Sequence, residues 1–250
     1  MPFIELPTGA GIDYVDTGGD APIMTMLHGF LGTGDTQFPN VVEWLRKDYR
    51  IIAPTMRGYG TSTPKPRAFP HDFYQKDARD MLALLEALNI SKTHLMGFSD
   101  GGEIALLMGA YDPNRFSSIA VWGAVGYYGS AMRPHAQRMF PATWMTDELK
   151  TRHQIAHADA FVLGWIKTIH AIIDSGGDVS RSIANQISAP LLMMLGDKDY
   201  LNPPEYAQEI IARAQNARLE MFSCAHAIHT EAWEDFQRVV GQFLNAIKGL

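Results

Sequence analysis

A chain of 250 residues, 46% apolar and 19% charged, has the proportions of one globular domain, and at that length roughly 75% of the extended surface is buried on folding. The formal net charge of −6 argues against nucleic acid or an anionic membrane as the main partner. A single cysteine, Cys224, excludes an internal disulfide, and no apolar run reaches the ~20 residues of a membrane span.

The first residues, Met-Pro-Phe-Ile-Glu-Leu-Pro, lack a basic region followed by an apolar stretch, so no signal peptide and a reducing, cytoplasmic location are expected. Short strand-like runs then alternate with helical patterns, the signature of an α/β sheet. Residues 12–17 alternate like a half-exposed strand and end at Gly18-Gly19. Residues 23–27 read as a buried strand running into His28-Gly29, and Ile51-Ile52-Ala53 as another. Ala78, Met81, Leu82, Leu85 and Leu88 recur at helical steps, which predicts an amphipathic helix. Thr93–Met96 is a strand that leads straight into Gly97-Phe98-Ser99-Asp100-Gly101-Gly102. The apolar run after it, residues 104–108, suits a central helix.

Strands are expected again over 117–122, 191–195 and, more weakly, 219–222, with a helix at the C-terminus carrying Trp233, Phe236, Val240 and Phe243 on one face. Residues 130–186 show helical patterning and no strand. The expected organisation is therefore a core of 1–126 and 188–250 interrupted by a helical cap over 127–187.

Gly97-x-Ser99-x-Gly101 lies between a strand and a helix, the context a nucleophile elbow requires. A strand-to-helix reversal without a spacer strains the serine backbone and lifts its hydroxyl above the sheet, and its neighbours must be small because strand and helix cross closely there. A serine hydroxyl needs a base to take its proton. The order serine, acid, histidine selects Asp199, after strand 191–195, and His226, after the last strand. Asp197 is the competing acid, but the loop spacing Gly196-x-x-Asp199-x-x-x-Pro203 favours Asp199 and leaves Asp197 to brace the turn. Residues 117–131 hold no Asp or Glu, which closes the other place for such an acid. His229 competes with His226 for the role of base and reads as a wall or surface residue.

Backbone N–H groups of Asp100 and of Phe30, in the His28-Gly29-Phe30 loop, are the expected oxyanion donors. His153 and His157, four apart on an expected cap helix, lack the intervening carboxylate and third ligand of a metal helix. No metal or organic cofactor is expected. The Asp100 side chain has two readings: a carboxylate favoured at a helix start by about 0.3–1 kcal/mol, as also for Glu103, or a counter-ion for a substrate ammonium.

Met56-Arg57-Gly58-Tyr59-Gly60, Asp72-Phe73-Tyr74-Gln75-Lys76-Asp77-Ala78, the Ser99 hexapeptide and Val121-Trp122-Gly123-Ala124 together resemble the α/β-hydrolase superfamily, in particular its valacyclovir hydrolase (biphenyl hydrolase-like) branch. The match is good over roughly 24–128 and looser over 188–246, and little of the cap aligns. It implies an α/β-hydrolase fold and a serine hydrolase of small-molecule esters with Ser99, Asp199 and His226 as triad. It also implies that Asp100 stands where the branch binds the α-amino group of amino-acid esters. Phe98 replaces a tryptophan and His28 a proline of that branch. A dehalogenase or epoxide hydrolase would resemble the chain only with aspartate at position 99. Neutral esters, C–C bonds flanked by ketones, a perhydrolase side activity and a non-catalytic binding protein on the same scaffold are the alternatives.

Overall fold

A computed structural model describes residues 1–248. Eight strands form one sheet: β1 (Phe3–Glu5), β2 (Gly11–Asp16), β3 (Ile23–Leu27), β4 (Arg50–Pro54), β5 (Thr93–Phe98), β6 (Phe116–Trp122), β7 (Leu191–Gly196) and β8 (Ala217–Phe222). Their spatial order is β1-β2-β4-β3-β5-β6-β7-β8. The pairs β1–β2 and β2–β4 are antiparallel, and all others are parallel. The helices are α1 (Pro39–Leu45), α2 (Phe73–Ala87), α3 (Asp100–Tyr111), α4 (Arg133–Gln137), α5 (Asp147–His153), α6 (Ala158–Asp174), α7 (Pro204–Ile211), α8 (Ile228–Glu231) and α9 (Trp233–Lys248).

The parallel strands are apolar on both faces because helices cover both. Along β6, Ile119 and Val121 point into the core that also holds α2 and α3, while Ala120 and Trp122 point into the core beneath α1 and α9. Leu191 and Met193 of β7 alternate with Leu192 and Met194 in the same way. The helix expected over 78–88 is α2, and the fully apolar run after Ser99 is α3, sealed between β5, β6 and α2. β1 was not expected from the sequence. Its three residues are exposed or half-exposed, so no apolar pattern marks it.

Between β6 and β7 the chain is helical or irregular apart from one bridge pairing Tyr127 with Asp178. The amides of Tyr128 and Ser180 reach the carbonyls of Gly177 and Gly126. The segment holding α4, α5 and α6 thus leaves and rejoins the core at adjacent points. No helix among the described residues is long and apolar enough to cross a membrane.

Candidate active site

Ser99 stands between β5 and α3 at φ 54°, ψ −123°, a left-handed conformation that a serine adopts only when its surroundings impose it. The crossing explains the glycines. A Cβ at Gly97 would run into the Gly101 carbonyl, and one at Gly101 into the carbonyls of Leu27 and His28. The Gly102 and Glu103 amides close the first turn of α3 onto the Ser99 carbonyl, while the Asp100 amide, at the start of the helix, has no partner within it.

His226 lies on the loop between β8 and α8. Its Nε2 is 3.0 Å from Ser99 Oγ and its Nδ1 is 2.7 Å from Asp199 Oδ2. Asp199 follows β7 and is buried. Burial alone would raise its carboxyl, but hydrogen bonds from His226, Asn202 Nδ2 (2.9 Å) and the Leu201 amide (3.2 Å) outweigh that and hold it below the usual value. Glu231 grips the histidine loop by accepting from the Ala225 and Ala227 amides at 2.8 and 3.0 Å.

Ser99, His226 and Asp199, placed in one site by sequence reasoning, thus meet in a single hydrogen-bonded line. The rival acid Asp197 is exposed, where the Ser223 hydroxyl donates to it at 3.3 Å. The rival histidine, His229, is a buried wall: its Nδ1 accepts the Trp122 indole N–H at 2.9 Å, and burial pushes its pKa down to about 4.

The loop after β3 abuts the serine, since a Cβ at Gly29 would lie 3.1 Å from Ser99 Cβ. The Gly32 amide closes a turn onto the Gly29 carbonyl at 3.0 Å, with Phe30 and Leu31 in its middle. His28 braces it. Its Nε2 accepts the Met56 N–H at 2.9 Å, so the proton sits on Nδ1 and is donated to the Gly29 carbonyl at 2.7 Å. Burial lowers the His28 pKa to about 3 and keeps it neutral. Because a trans peptide unit points its C=O and N–H in opposite directions, fixing the Gly29 carbonyl also aims the Phe30 N–H.

Two spaces meet at Ser99. The larger, about 390 Å³, is lined by Phe30, Phe98, Trp144, Trp165, Leu201 and His226, among others. The smaller is a recess of about 10 Å³ bounded by Asp100, Gly123, Tyr128, Met132 and Trp165, with room for about one water-sized group. Asp100 is buried. Its Oδ1 accepts the Tyr74 hydroxyl at 2.7 Å, and Tyr74 and Tyr128 hydroxyls are 2.7 Å apart. Its Oδ2 has no hydrogen-bond partner among the described residues, and the Trp165 indole N–H leans toward the carboxyl without completing a bond. Burial pushes the Asp100 pKa up to about 6, against the Tyr74 hydrogen bond and the charge of Arg67.

Glu103, expected only to suit a helix start, instead accepts the Val125 and Gly126 amides at 2.8 and 3.0 Å and so holds the loop after β6. Burial raises its pKa to about 7.

Several residues around the site escaped sequence reasoning. Gly123, at φ 62°, gives the imidazole its place: a Cβ there would lie 2.7 Å from His226 Cε1. Asn202, Tyr74, Tyr128 and Trp165 come from four different segments. Only the closeness of Gly123 to the Trp122 strand end, and of Asn202 to Asp199, was a usable signal. The expected pairing of His153 with His157 on one helix fails, because α5 stops at His153 and Gln154 turns left-handed at φ 57°. His157 is exposed, and no group of three or more His, Cys, Asp or Glu is placed to hold a metal among the described residues.

A family model described as alpha/beta hydrolase fold matches residues 22–136. The human serine hydrolase BPHL is 29% identical over 94% of this chain and 84% of its own. A 2-hydroxy-6-oxononadienedioate/2-hydroxy-6-oxononatrienedioate hydrolase of Paraburkholderia xenovorans is 26% identical over 97% of this chain and 94% of its own. A hydrolase of Pseudomonas aeruginosa superposes with a TM-score of 0.76 at 20% identity, covering 97% of both chains. With this sheet order, this strand–serine–helix turn and these matches, the chain has the α/β-hydrolase fold and is similar to the serine hydrolase BPHL along nearly its whole length.

Proposed function

We propose that the chain is a serine esterase that works through an acyl-enzyme and prefers esters bearing a free amine. The observation that carries the esterase reading is the line Ser99 Oγ–His226 Nε2–Asp199 at 3.0 and 2.7 Å, opening into the 390 Å³ apolar cleft.

In this mechanism Ser99 Oγ attacks the ester carbonyl while His226 Nε2 takes its proton. Asp199 holds the Nδ1 proton and favours the imidazolium. The amides of Phe30 and Asp100 stabilise the oxyanion. Collapse breaks the C–O bond, and the His226 proton goes to the departing alcohol. Water, deprotonated by His226, then attacks the acyl-enzyme, and Ser99 recovers its proton as the acid leaves. We further propose that residues 127–187 act as a cap that shapes both spaces.

The amine preference rests on Asp100. A buried carboxylate with one oxygen unpaired, facing a recess the size of one small group, is poised to hold an ammonium beside the scissile carbonyl. The larger cleft then takes the apolar remainder of the substrate. A neutral-ester or C–C hydrolase is the second reading, favoured by the apolar lining of that cleft and by the P. xenovorans relative.

Two measurements decide. Labelling of Ser99 by a fluorophosphonate in folded protein is expected, and its absence overturns the esterase reading. A phenylalanine ester should be turned over with a kcat/KM at least tenfold above that of its N-acetyl counterpart. Equal rates reject the amine preference in favour of the second reading.

A further inference from the structure

His153 is buried at the C-terminal end of α5, within the segment between β6 and β7, and the mechanism above does not use it. Both of its ring nitrogens are engaged across the boundary with the core. Its Nδ1 accepts the Gly60 N–H at 3.1 Å, and its Nε2 lies 3.0 Å from the Leu31 carbonyl. The Gly60 bond requires a lone pair on Nδ1, so the proton is on Nε2 and is donated to Leu31. Burial lowers the His153 pKa to about 4, in keeping with a neutral ring.

Leu31 is the residue after Phe30 and sits at φ 57°, a conformation that a leucine side chain disfavours and that therefore needs external support. The turn that presents the Phe30 amide thus has two carbonyls held by neutral imidazoles. His28 holds Gly29, and His153 holds Leu31. Tyr59 packs edge-on to both rings, each at 5.4 Å, and Lys65 Nζ donates to the His153 carbonyl at 3.2 Å. The same helix end is therefore tied to the core at three places.

We propose that His153 is a positioning residue for the oxyanion site: by holding the Leu31 carbonyl it fixes the turn that aims the Phe30 amide, so that seating of the cap and stabilisation of the transition state are one event. This rests on the reading of the Phe30 amide as an oxyanion donor and of Ser99 as nucleophile.

The test compares His153→Gln, His153→Asn and His153→Ala. A glutamine amide reaches as far as Nε2 and can still donate to Leu31. An asparagine reaches only as far as Nδ1 and can serve Gly60 but not Leu31. Each variant is assayed well below its own melting temperature with p-nitrophenyl butyrate, and with phenylboronic acid as a tetrahedral mimic.

Loss of an oxyanion donor lowers kcat by about 10²–10³, and a misaimed donor by a smaller factor. We expect kcat to fall about tenfold or more in His153→Asn and His153→Ala. KM should stay within about twofold and boronate inhibition should weaken in proportion to kcat, while His153→Gln recovers most of the loss. The proposal is overturned if Asn and Gln variants behave alike, if only KM moves, or if kcat and boronate affinity are unchanged while the melting temperature drops. Those results leave the esterase reading intact as long as wild-type Ser99 labels with fluorophosphonate. Failure of that labelling removes the esterase reading and this proposal together.

Discussion

At the scale of single residues, Asp100 is asked to contribute in two ways, and they can be separated. Its backbone N–H opens α3 whatever its side chain does, whereas its carboxylate is buried with a pKa raised to about 6. On the amine reading, the ammonium ester binds the ionised carboxylate. Its KM should therefore fall as pH rises through about 6, and rise again once the substrate amine deprotonates near pH 8. The ratio of kcat/KM for the amine ester to that for its N-acetyl counterpart cancels the titration of His226. That ratio should trace the window in wild type and go flat in Asp100→Asn, with a loss of about tenfold or more for the amine ester alone. Gly123 offers a second residue-scale prediction. Alanine there would meet the imidazole at 2.7 Å on a backbone with φ 62°, so Gly123→Ala should lower kcat by about 10²-fold with near-native circular dichroism.

At the scale of elements, what was legible in the chain follows from which signals are local. Ser99, Asp199 and His226 each follow the C-terminal end of a strand that apolar runs and glycines announce, so their convergence follows from the sheet. Tyr74 and Tyr128 lie 54 positions apart and meet only because α2 packs on α3 beside the loop after β6. Nothing within either stretch marks Tyr74 as a partner of Asp100, or Tyr128 as a partner of Tyr74. His153 misled for a related reason: a spacing of four suggests one helix face, but the chain turns at Gln154.

The loop before α2 gives an element-scale prediction. Arg67 is buried, forms a bidentate pair with Asp77 of α2 at 2.9 and 2.6 Å, and lies over the Tyr59, Phe69 and Phe73 rings. Asp77→Ala would strand a buried guanidinium and should reduce unfolding free energy in urea by about 3–5 kcal/mol. Replacing Asp72, which pairs with Lys76 at the surface, should change it by less than about 1 kcal/mol.

At the scale of the whole molecule, the same buried acids shape stability against pH. Asp100 and Glu103 have folded pKa values raised to about 6 and about 7, so the stability they contribute is complete below about pH 4 and is lost as pH rises through 6 and 7. Asp199 and Asp16 are held below the usual carboxylate value, Asp16 chiefly by its hydrogen bond with Arg50. Their contribution is present above about pH 4 and lost in stronger acid. Three buried histidines oppose the acids at low pH: His28, His153 and His229, with pKa values lowered by burial to about 3, 4 and 4, contribute stability that is present above about pH 6.5 and is lost as pH falls toward 4, so the stability maximum lies between about pH 6 and 7. Relative to wild type, Asp100→Asn and Glu103→Gln should each raise the melting temperature at pH 8 more than at pH 5. Such a result would mark the carboxylate beside the serine as a feature retained at the expense of stability.

The bridge between Tyr127 and Asp178 has a longer-term consequence. Everything between those residues hangs from one narrow stem, and closing a chain across a fixed gap depends only weakly on how much chain lies between. Insertions, deletions or wholesale replacement of that segment need not disturb the strands that carry Ser99, Asp199 and His226. A fold built this way can exchange that segment while its strands stay fixed, at the cost of the ties that His153 makes to Gly60, Leu31 and Lys65.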